Sequence, residues 1–144
     1  MKRKCLIVAG ILLGALLLTA VILLISGPQL QVVKKKGSEG EITYSVYIIN
    51  FSLRTLYSGY CDSVIERWNG EAWEPCPLNP GIDQVSYKLA LRHFYPFERK
   101  CDGGGYEKLY DLSTKGLYRF VKKGGYDMFN QSEWFEIVRE FQVR

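Results

Sequence analysis

"DLSTKGLYRF", residues 111 to 120, is the stretch whose reading decides the fold. Ser113, Thr114 and Lys115 stand in a row behind Asp111, which poses the question of a catalytic cluster. Such a cluster needs a base within hydrogen-bond reach of the nucleophile and donors for an oxyanion. Neither is on offer. Gly116 stands three residues after Ser113, so no SxxK motif forms, and the chain has no GxSxG elbow. His93, the single histidine, lies in "LRHFYP" with nothing local to orient it. The order Leu112, Gly116, Tyr118 fits a structural role instead. In a tyrosine corner, a tyrosine near the start of a late strand turns its hydroxyl back to the backbone of the corner before it. The glycine allows the bend into the strand, and Leu112 plugs the core.

Outward from this corner the chain reads as short strands. "GLYRFVKK" sets Leu117, Arg119 and Val121 against Tyr118, Phe120 and Lys122, and "WFEIVREFQVR" at 134 to 144 reads as a closing strand. Upstream, "ITYSVYIIN" at 42 to 50 puts Ile42, Tyr44, Val46 and Ile48 on one face and Thr43, Ser45 and Tyr47 on the other. "YCDSVIERWNGEAWEP" holds Asn69-Gly70 between two tryptophan-bearing arms, a hairpin signal because both residues accept positive φ. Of Trp68 and Trp73, one is expected in the core and the other over the strand pair. "PCPLNPG" at 75 to 81 is a loop, "VSYKLALRH" from Val85 a further strand, and "ERKCDGGGYEK" a glycine-rich connection. Gly103, Gly104 and Gly105 lack the spacing of a phosphate loop. Short strands divided by turn signals imply an all-β, immunoglobulin-like antiparallel sandwich.

Ahead of it, "LIVAGILLGALLLTAVILLI" from Leu6 to Ile25 is an uncharged apolar run, as long as a helix needs to cross a bilayer. It exceeds the apolar region of a cleavable signal peptide, and Pro28 follows the small residues Ser26 and Gly27, so it reads as a retained anchor. The chain then divides into residues 1–27 as membrane anchor or uncleaved signal, 28–40 as a flexible linker, and 41–144 as the sandwich. Lys34, Lys35 and Lys36 are expected as a juxtamembrane collar near lipid headgroups. Three basic residues flank each side of the run, so charge alone leaves orientation nearly tied. A four-residue tail ahead of a signal-like run favours export of the chain beyond it, which places the domain outside the cytoplasm.

The net charge of +4 misleads, because the six basic residues around the apolar run supply it. From Gly37 onward there are 13 Lys and Arg against 15 Asp and Glu, which is no footprint for nucleic acid. Cys61, Cys76 and Cys101 allow one intramolecular disulfide by any of three pairings and leave one thiol over. Their spacing fits no compact metal site, and no cofactor motif is present.

The stretches "VIERWNGEAWEPCPL" and "LYDLSTKGLYRFVK", with a terminal "EFQV", resemble the bacterial immunoglobulin-like domains of small Gram-positive envelope proteins. Asn50, Gly70 with Trp73, then Leu112, Gly116, Tyr118 and Arg119 occupy the matching places between Glu41 and Val143. The chain departs from that pattern at Lys115, where the family carries a proline, in its cysteines, and over residues 79 to 106. Such domains share no catalytic residues, so the resemblance implies an interaction or structural module of the cell envelope and carries over no site. The expected partners are the membrane, through residues 6–25, and an envelope protein or glycan. Tyr57, Tyr60, Tyr95, Tyr106 and Tyr126, in turn-like segments, are the candidate contacts. The alternatives are a disulfide-linked surface dimer through the odd cysteine, or a small hydrolase using Asp102, Glu107 or Asp111.

Overall fold

A computed structural model describes residues 2–59, 63–79, 91–104 and 106–144. Helix α1, Lys2–Ser26, is long and apolar enough to cross a membrane, and its segment Leu6–Ser26 is not buried against the rest of the chain. One residue, Gly27, separates it from a β-strand domain whose described residues form nine strands and one short α-helix, with a 3-10 turn at Gln131–Glu133. These are β1 (Pro28–Lys36), β2 (Ile42–Asn50), β3 (Leu56–Gly59), β4 (Ser63–Trp68), β5 (Trp73–Pro75), β6 (Leu91–Phe94), β7 (Arg99–Gly104), α2 (Tyr106–Leu109), β8 (Gly116–Gly124) and β9 (Phe135–Val143). Every pairing is antiparallel, and the sheet orders are β1-β2-β7, β3-β6 and β5-β4-β8-β9. Tyr44, Val46 and Ile48 of β2, Ile65 of β4, Tyr118 and Phe120 of β8 and Ile137 and Val143 of β9 join in one core. Phe141 stacks on Tyr118 with ring centres 5.8 Å apart and meets Tyr44 at 5.5 Å, so aromatic contact runs from sheet to sheet.

The expected linker at 28–40 is corrected. Pro28 through Lys36 form β1, paired in unbroken register with β2 from Pro28↔Asn50 to Lys36↔Ile42. Leu30 is buried and Val32 packs against the core, and burial of those side chains supplies a reason for order that composition hides. The lysines continue the same ladder with their side chains in water, as suits a strand bonded on one edge. At about 3.3 Å per residue Lys34 lies roughly 20 Å along β1 from Pro28, so the three lysines are no collar at the helix end. The domain therefore begins at Pro28, and only a tight turn closed by Gly37 N–H on the Glu41 carbonyl (2.8 Å) joins β1 to β2.

Two further expectations change. The glycine-rich connection contains β7, whose ladder with β2 carries a bulge that leaves Asp102 out of register. The hairpin of β4 and β5 forms, but Trp68↔Trp73 is its last pair, so four residues make the loop. Gly70 has φ 110°, whereas Asn69 stays out of the positive region and uses its side-chain oxygen to accept the N–H groups of Glu71 (2.8 Å) and Ala72 (2.9 Å). The strand expected from Val85 lies largely outside the described residues; its end is β6.

Candidate interaction surface

The tyrosine corner places the last two strands. Tyr118, buried in β8, donates its hydroxyl to the Thr114 carbonyl at 2.6 Å, and Leu112 is buried beneath. Burial pushes the Tyr118 phenol above its ordinary pKa. Gly116 opens β8 opposite Val143 with φ 158°, near extended backbone, so the bend into the strand is made before it. Asp111 accepts the Ser113 N–H at 3.0 Å, and hydrogen bonds from Ser113 lower its pKa. The polar row of the corner thus serves the turn.

With Tyr118 and Phe120 turned inward, alternation turns Leu117, Arg119, Val121 and Lys123 to the outer face of the four-stranded sheet. Register then stacks that face in rows. Val64, Val121 and Val138 form one row across β4, β8 and β9. Glu66, Arg119 and Glu140 form the next, with Arg119 paired to the Glu66 carboxylate. Lys123 opposite Glu136 borders the valines on the other side. Past the charged row stand Trp68 and Trp73, their ring centres 5.3 Å apart, with the Arg119 guanidinium 4.8 Å from the centre of the Trp73 ring. Neither indole enters the core, which corrects the expectation for that pair. The face holds a groove of about 420 Å³ between Val64, Glu66, Arg119, Val121, Lys123 and Glu136. The face thus combines exposed Val64 and Val138, a largely covered Val121 between them and the tryptophan pair with charged residues at the border.

The remaining expected residues scatter. Tyr95 is exposed, Tyr57 and Tyr126 are half-buried and Tyr106 is buried; Tyr60 lies outside the described residues. A second pocket, of about 390 Å³, lies by the corner between Tyr44, Asn79, Tyr110, Asp111, Leu112 and Lys115. Cys76 keeps a free thiol that burial pushes up to about 11, which makes it a poor nucleophile. Cys101 is exposed on β7, and Cys61 lies outside the described residues.

Asp102 sits in the core in a polar cluster that sequence reading missed. Lys122, also fully buried, gives its ammonium to Asp102 Oδ2 (2.9 Å), the Gly59 carbonyl (2.8 Å) and Ser63 Oγ (2.9 Å). Tyr106 donates to Asp102 Oδ2 at 3.1 Å, and Arg92 stands 3.7 Å from Oδ1. These partners come from β3, β4, β6, β7, β8 and α2, so the cluster ties the two larger sheets together through the core. Strict alternation alone puts Lys122 on the inner face; only the acid opposite it, delivered by a bulge, was out of reach. No family model and no curated protein matches this chain.

Proposed function

We propose that the chain is a single-pass membrane-anchored, extracytoplasmic module of the cell envelope, with an immunoglobulin-like sandwich that binds an envelope protein or glycan through the outer face of β5-β4-β8-β9. The observation that carries this reading is the join of α1 to the β-strand domain through Gly27 alone. An exposed apolar helix of this length suits the core of a bilayer. The strand orders β1-β2-β7 and β5-β4-β8-β9 support the sandwich: they correspond to strands A-B-E and C′-C-F-G of the immunoglobulin arrangement, and Tyr118 falls near the start of strand F. The valine row with its tryptophan end supports a binding role.

The test is a membrane-impermeant amine reagent applied to intact spheroplasts that express the full chain. Lys34, Lys35 and Lys36, all exposed on β1, are expected to be labelled while Lys2 and Lys4 are not. The reverse pattern places the domain in the cytoplasm and overturns the reading. For the surface, Val138→Arg in the valine row should remove envelope cross-links of the full chain without lowering its Tm; an unchanged cross-link pattern moves the contact elsewhere.

A further inference from the structure

Four large apolar side chains that the β-strand domain leaves in water share one end of it. Leu53 is 70% exposed, Tyr95 59%, Phe97 61% and Phe129 86%. They lie on three loops, which follow β2, β6 and β8. Asn50, fully buried, stitches the first two: its side-chain amide donates to the carbonyls of Arg54 and Phe94 at 2.8 Å each, and its own carbonyl accepts the Phe97 N–H at 2.7 Å. The Arg54 guanidinium, 4.8 Å from the centre of the Tyr126 ring, carries the link to the third. This is the end at which α1 arrives. Pro28 pairs with Asn50, and the Tyr126 hydroxyl stands 3.7 Å from where a Cβ on Gly27 would be.

The turn Tyr95-Pro96-Phe97-Glu98 adds a second observation. It is closed by Glu98 N–H on the Tyr95 carbonyl at 3.0 Å, and Phe97 has φ 60°. Among the described residues no other non-glycine has a positive φ. Proline followed by a positive φ is the type II pattern, whose third position favours glycine or asparagine. A phenylalanine there strains the backbone and also exposes a ring to water, two penalties that fold stability alone would remove. The nearby acids are turned to the backbone: Glu98 accepts the Tyr95 N–H and Asp127 the Phe129 N–H, each at 2.8 Å.

We propose that Leu53, Tyr95, Phe97 and Phe129 form an apolar rim that dips into the interfacial layer of the bilayer crossed by α1 and seats the domain on the lipid surface. The inference rests on the anchored reading given above. Chain continuity selects the occupant, because one residue between helix and strand holds this end at the membrane. Aromatic rings are suited to headgroup depth, where an apolar face meets lipid and polar groups stay wet.

The full chain is reconstituted in vesicles of phosphatidylcholine and phosphatidylglycerol containing acyl-brominated lipid, and the quenching of one added tryptophan is read against the parent chain. Phe129→Trp is expected to be quenched severalfold more than Val138→Trp, three residues into β9, while Leu18→Trp inside α1 is quenched most. Phe129→Trp quenched no more than Val138→Trp, with Leu18→Trp quenched, overturns the rim and leaves the anchor standing. Leu18→Trp without quenching overturns the anchor and the rim with it. Adding Phe97→Gly is expected to reduce the Phe129→Trp quenching without lowering Tm, since glycine relieves the turn; unchanged quenching overturns the part given to Phe97.

Discussion

Tyr118 shows how one buried side chain holds a corner to the core of the fold. Its buried ring stacks on Phe141, which in turn meets Tyr44, and its hydroxyl bonds the Thr114 carbonyl, so the corner and β8 are fixed together. Tyr118→Phe keeps the ring and loses one hydrogen bond, and should cost about 1 kcal/mol in urea unfolding at pH 7. The pH dependence follows from the raised pKa. The unfolded phenol ionises near pH 10 and the folded one later, so the stabilisation is complete below pH 10 and disappears as pH rises through the folded value. The gap between Tyr118→Phe and the parent chain should therefore narrow above pH 10. A constant gap would mean that the hydroxyl does not feel its burial.

Between elements, the Lys122–Asp102 pair joins β8 to β7. Lys122→Met or Asp102→Ala alone strands a buried partner and should cost about 3–5 kcal/mol, whereas the double change should cost less than the two added together. Urea unfolding of the four chains measures this, and strict additivity would show that the two groups act independently. The same pair marks the limit of sequence reading. β2, β8, β9 and the β4–β5 hairpin were legible because their alternation or turn residues are local signals. β1 was not, since Lys34, Lys35 and Lys36 spell linker unless the ladder with β2 is known. β7 was hidden by Gly103 and Gly104, and the role of Asp102 by a bulge that only the pairing reveals. On the outer face, Val64, Val121 and Val138 stand far apart in sequence and become a row only through register, so that surface could not be read in advance. Tyr118 could, because the corner it makes spans four residues.

For the whole molecule, the decisive feature is how the two parts are joined. If β1 is a paired strand, trypsin acting on the membrane-embedded chain should cut after Lys34, Lys35 or Lys36 only as the domain unfolds, so early digests read by mass spectrometry lack those cuts. Early cutting there would restore a flexible tether. The difference sets how far the protein reaches. A disordered segment of 13 residues would give the domain a radius of action of roughly 20 Å about the helix end. Gly27 gives it almost none, and nine residues of β1 extend only about 30 Å. On the anchored reading the domain samples a shell one strand deep above the lipid, and whatever binds it must come down to the membrane to be met.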